Sequence, residues 1–201
     1  MVKIGWTGGI ASGKSTVAGM LKEKGAVILD ADEVAREVVL PGEPAWKEIV
    51  EWLGEEILKE DGSLDRKKLG QKVFFDPEAL SRLNSIVHPR VSRRMEEQTR
   101  FLEENSNAEV LVQDIPLLIE GGLFRTVEVV LLVVVSPETQ ISRICRRDGI
   151  EYEDAQARLQ AQMPLEKKQE FADFIIDNEG PLENTRQQVE EFWKWLFDRS
   201  Q

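Results

Sequence analysis

The chain has 201 residues, 41% of them apolar, and a formal net charge of −11 at pH 7. That length and composition suit one globular domain, or one domain with insertions, around a sizeable buried core. The acidic balance argues against a broad nucleic-acid surface, which needs massed Lys and Arg, so any anionic ligand must be held by a local basic cluster.

Residues 2–7 read as a strand rather than as a charged leader with an apolar core. The strand feeds Gly8-Gly9-Ile10-Ala11-Ser12-Gly13-Lys14-Ser15-Thr16, which fits G-x-x-x-x-G-K-[ST]. A loop of this length wraps a β-phosphate with backbone N–H groups, and glycine permits its tight turns and close approach. Lys14 is placed to reach the β/γ-phosphates and the Ser15 hydroxyl to ligate Mg²⁺. The helix leaving the loop through Val17 and Leu21 points its positive end at the phosphates. A chance glycine-rich turn is the alternative, but the motif has the strand before it and the helix after it that a phosphate loop requires.

A second strand, residues 26–30, ends in Asp30-Ala31-Asp32. The carboxyl edge of an open α/β sheet lines the ligand crevice. Of two carboxylates there, one can help hold a Mg²⁺ shell and the other can take the proton of an attacking hydroxyl. Either can instead cap the helix that follows. Helical patterns cover residues 31–40, 45–53, 78–87 and 89–104, with Pro89 at a first-turn position. The span 31–107 is too long for a simple crossover and reads as a mostly helical insertion, with a turn at Asp61-Gly62-Ser63. His88, the only histidine, reads as structural rather than as a general base. Arg90, Arg93 and Arg94 make a basic patch that either seats a second anionic substrate or forms a solvated helix face.

The third strand, 109–113, leads into Asp114. It has the look of the second nucleotide-binding motif of P-loop proteins, whose acid holds Mg²⁺ through water. The segment Ile115 to Glu120 after it is equally readable as packing. Residues 128–135 form a strand broken only by Glu128, as expected of one buried on both faces. It is far too short to span a bilayer. Arg143, Arg146 and Arg147 lie on a helix over 137–147. Arg143 and Arg147 share one face and can bind phosphoryl oxygens as a lid, or can sit solvated beside Glu138 and Asp148. Cys145 is the single cysteine, so an intrachain disulfide and a cysteine metal site are excluded; this suits a reducing cytoplasm. A helix over 151–162, a strand over 173–177 and a helix over 181–198 complete the chain. Leu182, Val189, Phe192, Trp193 and Leu196 form the apolar face of the last helix, where Trp193 and Trp195 read as core. Strands alternating with helices predict an α/β fold with a parallel sheet.

The chain resembles the dephospho-CoA kinase family. The resemblance rests on Thr7-Gly8-Gly9-Ile10 with Ser12 to Thr16, Asp30-Ala31-Asp32, Pro41-Gly42, His88-Pro89 and Pro116-Leu117-Leu118-Ile119-Glu120. It continues through Val135 to Gln140, Arg147-Asp148, Gln162-Met163-Pro164 and Ile176-Asp177-Asn178-Glu179-Gly180. It implies a P-loop kinase fold with a five-stranded parallel sheet. The nucleotide-binding core would be 1–30, 108–140 and 170–201, the helical acceptor domain 31–107 and the helical lid 141–169. It implies ATP and Mg²⁺ as cofactors and transfer of the γ-phosphoryl to the ribose 3′-hydroxyl of dephospho-CoA. Asp32 would be the base, with Lys14, Arg143 and Arg147 assisting. Nucleotide would be held by Gly8 to Thr16 and Asn178, the acceptor by Asp32, Arg36, His88, Arg90 and Leu117, and the metal by Ser15 and, through water, Asp114. The expected molecule is a cytoplasmic monomer or small homo-oligomer, with neither nucleic-acid nor membrane partners.

Three rivals stand beside this reading. A switch GTPase usually carries Asn-Lys-x-Asp for guanine, and no such tetrapeptide occurs here. A regulatory ATP-binding module would have no use for Asp32 and the lid arginines. A kinase of the nucleoside or shikimate type is the runner-up, and the long insertion with its basic patch favours a larger anionic acceptor.

Overall fold

Strand β1 (Val2–Gly8) lies at the centre of a five-stranded sheet, and the phosphate loop leaves directly from its carboxyl end. The computed structural model describes residues 1–199. The other strands are β2 (Val27–Asp30), β3 (Val110–Asp114), β4 (Val129–Val134) and β5 (Phe174–Asp177), in the order β2-β3-β1-β4-β5. The pairings of β1 with β3 and β4, and of β4 with β5, are parallel. The chain moves from β1 out to one side of the sheet and returns to the other. This leaves a crevice at the carboxyl ends beside β1, where ligands of open α/β sheets bind. Register sets Trp6 opposite Asp114, so the acid ending β3 stands beside the start of the phosphate loop. In β4, Val129 to Val133 are all buried, the near-continuous apolar run of a strand covered on both faces.

The chain divides into two compact units, one of Met1–Leu29 with the residues from Asn107 onward, the other Asp30–Ser106. In the first, helix α1 (Lys14–Glu23) follows the phosphate loop and buries Val17, Met20 and Leu21. At the chain's other end, α9 (Leu182–Asp198) places Thr185, Val189, Phe192 and Leu196 on one buried face. Leu182, expected on that face, is 55% exposed instead. It is the helix's first residue and has no preceding turn to orient it inward. Trp193 and Trp195 pack against the core as the sequence suggests. Phe192 is fully buried, with ring centroids 5.1 Å from Phe174 and 6.0 Å from Trp195. Phe192→Ala should destabilise the protein by about 3–5 kcal/mol, the usual cost of emptying an aromatic site. Urea unfolding should show a lower midpoint at unchanged slope.

In the second unit, α2 (Ala31–Glu37), α3 (Pro44–Leu53) and α4 (Arg66–Val73) pack against the long α5 (Pro77–Asn105). Their core is Ala45, Ile49, Ile57, Leu64 and Ile86. The Trp46 indole N–H donates to Gly62 O at 2.9 Å and ties the Asp61-Gly62-Ser63 turn to α3. Two differences from the sequence reading stand out. The helices expected over 78–87 and 89–104 are one, with Pro89 inside it. A proline removes one ladder donor and costs about 3 kcal/mol in a helix interior, but Ile86 and Met95 on either side are buried and hold the axis. Helix α4 was not expected, since its eight residues include Gly70 and four basic side chains and show little apolar periodicity.

The remaining helices belong to the first unit. Helices α6 (Pro137–Asp148) and α7 (Tyr152–Gln160) join through Ile141, Ile144 and Ala155, with Ile10 and Ala11 of the phosphate loop against the same cluster. The short α8 (Leu165–Gln169) follows and was also not expected, being too short for a helical period to register. No helix among the described residues is long and apolar enough to cross a membrane.

Candidate active site

Gly13 caps the start of α1 at φ +86°, and a Cβ there would lie 2.1 Å from Asn178 Nδ2. Only glycine takes that conformation at so little cost, and only glycine leaves that room. A Cβ on Gly9 would lie 2.2 Å from Gln140 Nε2. These two contacts show how the loop is held: side chains from distant parts of the first unit grip its backbone. Gln140 Nε2 donates to Ile10 O at 2.7 Å, while the Ile10 N–H donates to Gln162 Oε1 at 2.9 Å. Arg143 Nη1 donates to Ala11 O and Ser12 O, both at 3.3 Å, and its Nη2 to Asn178 O at 3.1 Å. Asn178 Nδ2 donates to Ser12 O at 2.8 Å and its Oδ1 accepts from Thr185 Oγ1. The carbonyls of residues 10–12 are thereby occupied from outside. Ala11 sits at φ +57°, the one non-glycine residue with positive φ among those described. Such a conformation persists only where its surroundings over-determine it.

Lys14 Nζ is ion-paired with Asp114 Oδ1 and lies 5.8 Å from the centroid of the buried Trp6 ring. Ser15 is exposed at the first turn of α1. A cavity of about 570 Å³ is lined by Gly9, Ala11 to Ser15, Arg143, Arg146 and Arg147. It thus combines the phosphate loop, a helix N-terminus and three guanidinium groups, a set of donors matched to phosphoryl oxygens. Arg147 faces it with its guanidinium held by Asp148, at 2.7 and 3.0 Å. Those hydrogen bonds push the Asp148 carboxyl below the usual range and raise the Arg147 guanidinium. Arg143 differs from Arg147 in that its Nη1 and Nη2 donate to the loop and to Asn178.

Asn178 is buried with its amide committed, whereas its neighbours Asp177 and Glu179 line a second cavity of about 570 Å³, with Val135, Pro137, Met163 and Leu165. The Glu179 carboxyl is held below its ordinary value by hydrogen bonds from the Thr139 hydroxyl and the Ser136 N–H, and then by the nearby Arg143 charge. In the loop after β3, Leu117 is 58% exposed. Glu120 of that loop lies 2.7 Å from the Nζ of Lys168, a lysine only 1% exposed on α8. The segment Ile115 to Glu120 therefore does more than pack.

In the second unit, Asp30 and Asp32 separate cleanly. Asp30 caps α2, its Oδ1 accepting from Asp32 N at 2.7 Å and Glu33 N at 3.3 Å. Asp32 is exposed and lines a cavity of about 510 Å³ with Arg36, Val39, Ile49, Arg66, Leu69 and Phe74 among its walls. Arg36 and Arg66 carry no ion pair among the described residues. The basic patch is otherwise engaged: Arg90 pairs with Glu48 at 2.7 Å, Arg93 with Glu97 at 2.9 Å, and Arg94 with Glu43 at 3.4 Å and Glu37 at 3.6 Å. His88 is exposed on α5 and, like Arg90, lies outside the cavity lining. The sequence reading gave no role to Arg66, Gln140 or Gln162, and had Asp148 only as a solvated partner of the helix arginines. The last three stand in segments that carry the family resemblance, but their contacts to the loop and to Arg147 have no signature in spacing.

Comparison with known proteins agrees with this geometry. The family model described as dephospho-CoA kinase matches residues 2–184. A Streptomyces avermitilis protein described as dephospho-CoA kinase is 47% identical over 201 residues, covering 100% of this chain and 96% of its own. Among solved structures, a Thermus thermophilus protein superposes with a TM-score of 0.81 at 35% identity, with 97% of each chain covered. The dephospho-CoA kinase from Campylobacter jejuni does so with 0.75 at 28% identity, over 99% of this chain and 98% of its own. A phosphate loop on a parallel sheet, a helical second unit and a match over nearly the whole length come together in one conclusion: the chain belongs to the dephospho-CoA kinase family.

Proposed function

We propose that this chain transfers the γ-phosphoryl group of ATP to the ribose 3′-hydroxyl of dephospho-CoA, releasing coenzyme A and ADP. The observation that carries the proposal is the cavity in which the loop from Gly9 to Ser15 faces Arg146 and Arg147, in a chain of this family. The loop N–H groups and Lys14 bind the β- and γ-phosphates, and Arg147 neutralises charge on the group in transfer. Arg143 and Asn178 serve the nucleotide indirectly, by holding the loop backbone.

The donors Ser15 and Asp114 are hard oxygen ligands, a set that suits Mg²⁺ alongside phosphate oxygens and water. Held by these residues, the ion would neutralise phosphate charge during transfer. Asp114 is then shared, since it is also the resting partner of Lys14.

For the acceptor we infer the cavity of about 510 Å³ in the second unit, a volume within the range of small-molecule sites. Its apolar walls suit a base, Arg36 and Arg66 its phosphates, and Asp32 the reacting hydroxyl. Arg66→Ala should raise KM for dephospho-CoA about tenfold, the scale of losing one guanidinium–phosphate contact. KM for ATP and kcat should change little. An unchanged acceptor KM would remove Arg66 from the site. The test of the whole reading supplies ATP and Mg²⁺ with dephospho-CoA, a nucleoside or shikimate, and follows products by mass. Coenzyme A is the expected product. Brisk phosphorylation of shikimate or a nucleoside with no coenzyme A would overturn the acceptor.

A further inference from the structure

Asp148 is the last residue of α6 and sits beside the arginine that faces the phosphate loop. Its Oδ1 accepts from Arg147 Nε at 2.7 Å and its Oδ2 from Arg147 Nη2 at 3.0 Å. The same Oδ2 accepts from Arg158 Nη1, on α7, at 2.6 Å. A guanidinium carries five N–H donors in a rigid plane. The Asp148 carboxylate takes two of them along one edge. Of the three that remain, two lie along the Nη1/Nη2 edge, the fork that matches two phosphoryl oxygens. The carboxylate therefore does not silence Arg147; it fixes the plane and leaves the phosphate-binding edge open. Arg158 in turn anchors the carboxylate to the second helix.

We propose that Asp148 is a positioning residue for the phosphoryl-transfer step: anchored by Arg158, it orients the Arg147 guanidinium so that its free edge meets the phosphate in the loop cavity. This rests on the kinase reading above. The two helices do not depend on this ion pair alone, because Ile141 and Ile144 of α6 pack on Ala155 of α7. The clamp matters because the Arg147 side chain is 58% exposed: an exposed arginine without one samples many rotamers, and each must be frozen out before the fork can bind.

The experiment is a double-mutant cycle on the full chain. Asp148→Asn keeps the shape and removes the charge. It should lower kcat for coenzyme A formation about tenfold, the scale of misaligning one charge-assisted contact in the transition state. KM for ATP should stay within about twofold, since the loop supplies most of the ground-state binding. Asp148→Glu should restore part of the lost rate. In an Arg147→Ala background, Asp148→Asn should have no further effect on kcat, because the group it positions is gone. Arg158→Ala, which keeps the carboxylate and removes its anchor, should lower kcat in the same direction and also lose its effect in that background. It carries the test if Asp148→Asn fails to fold. An unchanged kcat in both variants, or an equal loss with and without Arg147, would overturn the proposal. Running the same cycle on acceptor-independent ATP hydrolysis separates the two readings. If no coenzyme A forms but the non-additivity is present in hydrolysis, the acceptor assignment falls and Asp148 stands.

Discussion

Asp32→Asn is expected to leave both substrates binding while kcat falls by about 10²–10⁴-fold, the usual worth of general acid–base catalysis. Phosphoryl transfer needs a carboxylate to take the proton of the acceptor hydroxyl as that oxygen attacks in line. Two acids stand where β2 passes into α2, and their hydrogen bonds divide the labour. Asp30 spends its carboxylate on the N–H groups of Asp32 and Glu33. Asp32 is exposed on a cavity wall with Arg36 and Arg66. The amide has nearly the same shape but no basic oxygen, so isothermal titration should find dephospho-CoA binding within a few-fold of wild type. Asp30→Asn is the contrasting variant: it weakens a helix cap, worth about 1 kcal/mol, and should lower stability more than turnover. If Asp32→Asn turned over at wild-type rate, the base would lie elsewhere.

Lys14→Ala should lower kcat by about 10²-fold or more, the scale of deleting one electrostatic stabiliser of the transition state. The ammonium is paired with Asp114 and lies over the Trp6 ring. Nucleotide must therefore draw Lys14 from one anion to another. The swap keeps the ammonium paired with an anion throughout. The loop backbone is held by Gln140, Gln162, Arg143 and Asn178 rather than by Lys14. The melting temperature of the variant should accordingly stay close to that of wild type. Turnover near the wild-type rate would refute the role.

The phosphate loop was legible because its chemistry is local: nine adjacent residues between a strand and a helix state the whole requirement. The alternation of apolar strands and amphipathic helices likewise gave the sheet and its five strands. Arg143 was harder. On its helix it has the spacing of a lid arginine paired with Arg147, and only the fold reveals that its donors reach carbonyls 131 and 132 residues away. Arg90, Arg93 and Arg94 made a conspicuous basic patch in an acidic chain. Glutamates on and just before α3, at the end of α2 and on α5 itself neutralise it, three of these from more than forty residues away. Arg66 carried no such prominence, and its importance comes from lining a cavity whose walls are drawn from four helices. Pro89 failed as a boundary because a proline's local cost is smaller than the burial gained by continuing α5.

The grip on Ile10, Ala11 and Ser12 has a consequence for how the nucleotide is bound. A glycine-rich loop free in solution samples many shapes, and fixing each residue costs about 1–2 kcal/mol of conformational entropy. Here four side chains from α6, the segment after α7 and the end of β5 impose the shape as the protein folds. Contacts within the protein carry that ordering, so the binding event keeps a larger share of its contact energy as affinity. The dependence runs both ways. Nucleotide that binds only the folded loop stabilises the fold by mass action, about 2.7 kcal/mol at a hundred times its Kd. The amides of Gln140, Gln162 and Asn178, which no phosphate has to touch, thus share in setting how much free energy ATP lends to the protein as a whole.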